Sequence, residues 1–327
     1  MLQNILTEHD SQQLLTYIRQ SNTIVCTCHQ NPDGDALGSC LAWAEVLRTA
    51  FQKQPHVIVP DQYPDYLRWL PNNEQVIRYD KHPQHSDDLL QQADLIFCLD
   101  YNSYQRTAQM ESALRTSPAP KVLIDHHLDP AIDALLSISR PEASSTCELV
   151  FRLTYQLGLF PLMGKKFAVP VYCGMMTDTG AFTYNSDSCD VYFIISQLLT
   201  KHINKDRIYR NIYHTYSENR LRLTGYILYQ KLVVDTPHHA SYFTLTRADQ
   251  KRFHFMKGDA EGLVNMPLQM KGLRLSISLR EDSEKENLVW VSLRSVDSFP
   301  CNEMAARFFN GGGHLNASGG RLYCSIS

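Results

Sequence analysis

The sequence predicts an α/β protein: a mostly parallel sheet flanked by helices, then a smaller C-terminal α/β domain, with a cleft between the two. Two observations carry that expectation. In the first half, short apolar, β-branched runs alternate with stretches of helical spacing, the signature of βαβ units. At 327 residues the chain also exceeds one ordinary domain of roughly 100–200 residues. Thr23–Cys28, His56–Pro60, Leu95–Asp100 and Lys121–Asp125 read as buried strands. Ala36–Phe51 and Cys147–Leu157 carry apolar residues at helical intervals, and Phe167–Asp178 reads as a further helix. From Asp190 to about Leu223 the pattern suggests linker helices. Beyond them the texture changes: Ile277–Asp282 and Asn287–Ser295 resemble a hairpin around a charged turn, and a glycine-rich loop follows at Asn310–Gly320. The expected division is residues 1–190, a helical linker 191–215, and residues 216–327. No internal repeat is evident.

Composition narrows the class. Hydrophobic residues make up 43% and charged residues 20%, as in ordinary globular proteins. No run approaches the ~18 apolar residues of a membrane span, and Met1–Asp10 lacks the pattern of a secretory signal. The expectation is a cytoplasmic protein without a membrane partner. Nine cysteines include no Cys-x-x-Cys pair; Cys26, Cys28 and Cys98 lie in apolar runs and read as reduced, buried hydrophobes. The net charge of -3 hides an asymmetry: residues 216–327 hold 14 Lys+Arg against 11 Asp+Glu, and residues 1–215 hold 17 against 23. Gripping a long duplex needs a larger basic footprint, so a nucleic-acid substrate would be short or single-stranded. The acidic half suits cations and the basic half suits a phosphate.

The chemistry-bearing residues begin after the first predicted strand, in "CHQNPDGDALGS". His29, Asp33 and Asp35 form a His-x-x-x-Asp-x-Asp array where ligands of α/β sheets gather, outside a strand's carboxyl end. Alone this array means little, because Asp and Gly are ordinary turn residues. Three more apolar runs end similarly: "LIFCLD" in Asp100, "KVLIDHH" in Asp125, His126 and His127, and "GMMTDTG" at Asp178. Any one of them has a bland reading as a helix cap or an interior histidine. Together, a parallel sheet would bring all four ends to one edge. Imidazoles with hard carboxylates and no thiolate suit Mn²⁺. A pair of metals about 3.5–4 Å apart needs one bridging carboxylate.

These residues match, in order, the four motifs of the DHH phosphoesterase superfamily, which the chain resembles over nearly its whole length. "GGGHLNASGG" at Gly311–Gly320, preceded by "SLRS" with Arg294, resembles the DHHA1 domain. The resemblance implies two divalent metal ions, with His29 and Asp33 on one, Asp35 and His126 on the other, Asp100 bridging and Asp178 completing the cluster. It implies that His127 contacts the scissile phosphate and that Asp125 orients the histidine pair from the second shell. Asp33, Asp35, Asp100, His127 and Asp178 would serve catalysis, in which hydroxide held by the metals attacks phosphorus. Arg294, Gly311, Gly312, Gly313 and His314 would hold the rest of the substrate, with the glycine amides cradling a phosphate.

Among family branches, size and motifs are similar to the stand-alone nano-RNase/pAp-phosphatase group, as is "GDAEGLVN" at Gly258–Asn265. The implied substrates are short oligoribonucleotides and 3′-phosphoadenosine 5′-phosphate. A soluble phosphodiesterase for cyclic-di-AMP or its linear product is the alternative. A nucleotide-binding protein without catalysis would show a missing ligand, and none is missing. Oligomeric state is open, with a homodimer allowed. His82, His85, His238 and His239 read as surface histidines, and Arg106 as either a phosphate-binding or a solvated residue.

Overall fold

Alternating strands and helices build the first half of the chain. The computed structural model describes residues 2–326 other than Thr215 and Lys257, and the chain divides into two units, Met1–Thr215 and Tyr216–Ser327. Thr215, the end of the expected linker, lies outside the described residues. The first unit runs α1 (Glu8–Gln20), β1 (Ile24–Thr27), α2 (Gly34–Phe51), β2 (His56–Val59), β3 (Val76–Arg78), α3 (Pro83–Gln92), β4 (Leu95–Leu99), α4 (Glu111–Thr116), β5 (Lys121–Asp125), β6 (Leu136–Ser139), α5 (Thr146–Gln156), α6 (Lys165–Asp178), α7 (Cys189–Leu199) and α8 (Lys205–Tyr213). Its strands form one sheet in the order β3-β2-β1-β4-β5-β6, and every neighbouring pair is parallel.

Strands β1, β4 and β5 are buried throughout, which is why they read as continuous apolar runs rather than alternating ones. Successive side chains feed two cores, one on each face. Cys26, Phe97 and Ile124 join Trp43, Phe151 and Phe167, while Val25, Ile96 and Leu123 join Ile58, Tyr101 and Met110. The expected strands therefore form. The edge strands β3 and β6 escape the sequence pattern because they are short and only partly buried.

The region expected as a linker is not one. Helices α7 and α8 bury Val191, Ile194, Leu198, Ile208 and Ile212 in the core of the first unit. Their apolar spacing reflects packing against that core, not a bridge between domains.

The second unit runs α9 (Glu218–Tyr226), β7 (Val233–Asp235), β8 (Ala240–Leu245), α10 (Arg247–Arg252), β9 (Leu275–Glu281), β10 (Val289–Ser295), α11 (Cys301–Phe308), β11 (Gly312–His314) and β12 (Ala317–Leu322). The sheet order is β11-β12-β10-β9-β8-β7, antiparallel except where β8 meets β9. Strands β9 and β10 are the expected hairpin. The glycine-rich loop is more regular than expected, because Gly312–His314 pairs with Ala317–Gly319 as a hairpin of its own.

Helices α2 and α6 approach so closely that glycine is required where they cross. A Cβ on Gly38 would stand 2.7 Å from the Pro170 carbonyl oxygen, and one on Gly174 would stand 2.3 Å from Cys147 Sγ and 2.8 Å from Asp35 Oδ1. Gly174→Ala should therefore destabilise the protein by about 1–3 kcal/mol, the usual cost of overpacking a tight core. Chemical denaturation reads this as a lower midpoint with an unchanged slope; an unchanged midpoint would mean that the helices can part freely.

Candidate active site

The chain leaves β1 toward β2 and returns on the other side as β4. The carboxyl ends of β1 and β4 thus flank a topological switch point, where open parallel sheets form a crevice. His29 lies just past β1, Asp100 directly follows β4, and Asp125 ends β5, with His126 and His127 next. Asp33 and Asp35 arrive from the start of α2, Asp33 as its N-cap. Asp178 is not at a strand end; it closes helix α6. That helix is apolar nearly all round because it is buried, and periodicity alone does not separate a buried helix from a strand.

Asp100 is the centre of the group. Its Oδ2 lies 3.4 Å from His29 Nε2, and its Oδ1 lies 3.5 Å from His126 Nε2 and 3.7 Å from His127 Nδ1. The residue is 2% exposed and its φ is +64°, a left-handed conformation that Asp tolerates better than most residues and that clusters at functional sites. Three groups of donor atoms, each within 4.8 Å, share it: His29/Asp33/Asp100, Asp35/Asp100/His126 and Asp100/Asp125/His127.

The remaining carboxylates are each held by something else as well. Asp33 Oδ1 accepts the N–H groups of Asp35 and Ala36 at 3.0 and 2.9 Å, while Oδ2 stands 3.9 Å from His29 Nε2. The capping reading and the ligand geometry coexist on its two oxygens. Asp35 accepts the N–H of Thr146 at 2.6 Å and of Cys147 at 2.8 Å, the unsatisfied donors at the start of α5, where negative charge is favoured. Asp178 Oδ2 is 3.4 Å from His126 Nε2. Asp125 pairs with His127 Nδ1 at 2.7 Å, whereas His126 Nδ1 meets the Ala143 carbonyl at 3.2 Å. The expectation that Asp125 orients both histidines is thus corrected: it takes His127 directly, and a backbone carbonyl takes His126.

Sequence reasoning missed Thr146. Its hydroxyl donates to Asp100 Oδ1 at 2.9 Å and its N–H to Asp35, so one buried residue ties two site carboxylates together. The signal was the Ser-x-x-Glu pattern of Ser145–Glu148, which opens a helix; Ser145 caps Glu148 N–H, and Glu148 accepts the N–H and hydroxyl of Ser144. Arg106 lies near the site, and its carbonyl accepts the Gln30 N–H at 2.7 Å. His82, His85, His238 and His239 are exposed.

In the second unit, the sheet puts Arg294 and His314 in one row, on either side of Ala317. Two glycines of the adjoining run have a packing reason. A Cβ on Gly311 would fall 1.8 Å from the Gly319 carbonyl oxygen, and Gly313, at φ +142°, would put one 2.6 Å from that of Ala317. Gly312 has open space around it.

Clustering shifts the site's protonation. Burial works against ionising Asp100, but His29, His127 and His126 outweigh it and hold the carboxyl far below its usual range. Burial, then the charges of Asp100 and Asp178, drive Asp35 well above it. Burial also lifts Asp178, to about 7, with His126 opposing and Asp33 and Asp100 adding to the rise. Burial disfavours the charged imidazoles, yet the Asp100 hydrogen bond raises His29 to about 9, and Asp178, Asp100 and Asp35 raise His126 to about 9. Protons are thus retained where acidic groups crowd, and a divalent cation would substitute for them. Imidazole nitrogens and hard carboxylate oxygens, buried and convergent, are donors that fit such ions.

The sign of the resulting pH dependence follows. His29 and His126 bind protons more tightly folded than unfolded, so their contribution is full below about 6.5 and is lost as pH rises through about 9. Asp178 acts in the same direction, losing its contribution as pH rises through about 7. In EDTA the melting temperature should fall from pH 6.5 to 9, and a divalent cation should stabilise the protein more at pH 9 than at pH 6.5. A melting temperature in EDTA that rises over this interval would contradict the proton accounting.

The chain is similar to several known proteins in sequence and fold. Residues 23–175 match the family model described as the DHH family, N-terminal domain. The fold superposes with a TM-score of 0.95 on the crystal structure of an exopolyphosphatase-related protein from Bacteroides fragilis, at 45% identity over 99% of this chain and 94% of that one. The bifunctional oligoribonuclease and PAP phosphatase of Bacillus subtilis is 25% identical over 315 residues, covering 95% of this chain and 93% of that protein. A probable enzyme of the same description from Streptococcus mutans is 26% identical over 312 residues, with 95% and 93% covered. The chain belongs to the DHH family of phosphoesterases.

Proposed function

We propose that this protein hydrolyses phosphate esters of short ribonucleotide substrates, namely oligoribonucleotides of a few residues and 3′-phosphoadenosine 5′-phosphate, with two divalent cations, Mn²⁺ foremost, as cofactors. One observation carries the reading: Asp100 is shared by the donor groups around His29 and around His126, as a carboxylate serving two cations must be. The names of the Bacillus and Streptococcus relatives support the substrate class.

His29 and Asp33 would hold one cation, Asp35 and His126 the other, Asp100 both, with Asp178 completing the set. Cations bound there supply Lewis-acid polarisation of phosphoryl oxygen and a lowered pKa for water. The chain's own residues do the rest. The two α5 amides fix the Asp35 carboxylate, so it needs no reorganisation when a cation binds. His127 Nδ1 pairs with the Asp125 carboxylate at 2.7 Å, which fixes the ring's orientation for contact with the scissile phosphate. Asp125 is fully buried, and its Oδ1 is the oxygen that holds His127. Arg294, His314 and the amides of Gly311, Gly312 and Gly313 would hold the substrate away from the cut bond.

Asp100→Asn should lower kcat/KM by at least roughly 10²–10³-fold; wild-type turnover in that variant would remove Asp100 from the chemistry. The substrate is tested with Mn²⁺ on a panel of 3′-phosphoadenosine 5′-phosphate, di- to pentaribonucleotides, cyclic-di-AMP and pyrophosphate. Fastest initial rates are expected on the first two classes. A preference for cyclic-di-AMP would reassign the substrate, and binding without turnover on the whole panel would make the protein a nucleotide-binding regulator.

A further inference from the structure

We propose that the second unit carries a base-stacking subsite at Trp290, which engages a nucleotide well beyond the one held at Arg294 and His314 and so favours oligonucleotides over mononucleotides. The inference rests on the functional reading above and deepens it. Along β10, Val289, Val291, Leu293 and Ser295 are buried, while Trp290, Ser292 and Arg294 face the other way and stay accessible. Helix α11 covers only the buried face, through Cys301 and Ala305 against Val291 and Leu293. On the Trp290 face, the segment Leu263–Gln269 packs over Phe243 and Leu245 of β8 and reaches β9 and β10, yet Trp290 stays exposed and Ser292 and Arg294 stay partly accessible.

That face has the composition of a single-strand platform. Trp290 is 38% exposed, so part of its ring is open to a stacking partner. Directly opposite it stand Arg280 on one neighbouring strand and Arg321 on the other, and opposed residues of a sheet share a face. The indole Nε1–H donates to Asp282 Oδ2 at 2.7 Å, which fixes the ring in place. Arg294 lies four residue steps along the strand from Trp290, about 13 Å, a span longer than one nucleotide. Between them Ser292 lies opposite Gly319, so little bulk interrupts the path. Past Trp290 the hairpin turn carries Glu284 and Glu286, both exposed, which would repel a polyanion and end the track. A platform bounded this way suits a short strand.

The test compares Trp290→Ala and Trp290→Phe with wild type in steady-state hydrolysis of a pentaribonucleotide and of 3′-phosphoadenosine 5′-phosphate. Trp290→Ala should reduce the ratio of kcat/KM for the pentamer to that for the mononucleotide about tenfold, mainly through KM, as expected for loss of one base–aromatic stack. Trp290→Phe should restore most of the ratio. An unchanged ratio, or equal losses on both substrates, would overturn the subsite. Quenching of indole fluorescence by the pentamer in EDTA, measured without turnover, keeps this separate from the functional reading. If wild type cleaves nothing, that reading falls, and the subsite still stands or falls on whether Trp290→Phe abolishes most of the quenching.

Discussion

Burying several carboxylates at one point is the constraint on which the first unit is organised. Asp35 and Asp100 are almost fully enclosed, and negative charges so placed are costly unless each has a specific partner. Three imidazoles surround Asp100, two helix amides hold Asp35, and Asp33 turns one oxygen to its own helix N-terminus. Each compensation requires a particular element in a particular place: the sheet's switch point for the histidines, the start of α5 for Asp35, and a glycine crossing to bring α2 against α6. The architecture is thereby committed to a cluster that protons satisfy only in part and that cations would satisfy better.

Much of this was legible in the sequence because strands buried on both faces are continuous apolar runs, and polar residues at their ends stand out. His29, Asp100, Asp125, His126 and His127 were found this way, and the structure brings them together. What escaped has physical reasons. Asp178 was named by its motif, and only its place among the strand ends was wrong: it ends a helix buried on nearly all sides, whose sequence has no contrasting polar face. Thr146 looked like an ordinary residue at a helix start, because a hydroxyl that positions a carboxylate leaves no pattern of its own. Helices α7 and α8 carried the right periodicity, but periodicity does not say which core receives an apolar stripe.

The glycine-rich segment shows how one pattern can have two causes. Gly311 and Gly313 are required by the close approach of neighbouring backbone, whatever else the hairpin does. Gly312 meets no such demand, and it neighbours the row that holds Arg294 and His314. Packing and substrate binding therefore need not compete as explanations: the first sets where the hairpin lies, and the second would use what it presents. The same sheet, read strand by strand, also separates a covered apolar face from an accessible one bearing arginines and a tryptophan.

The central claim is that the donors sharing Asp100 form a centre for two cations, and metal stoichiometry tests it most directly. Protein stripped with EDTA and titrated with Mn²⁺ in a calorimeter at pH 8 should bind two ions per chain with release of protons, and Asp100→Asn should lose both tight sites. Binding of one ion or none by wild type, or two tight sites surviving in Asp100→Asn, would contradict the account.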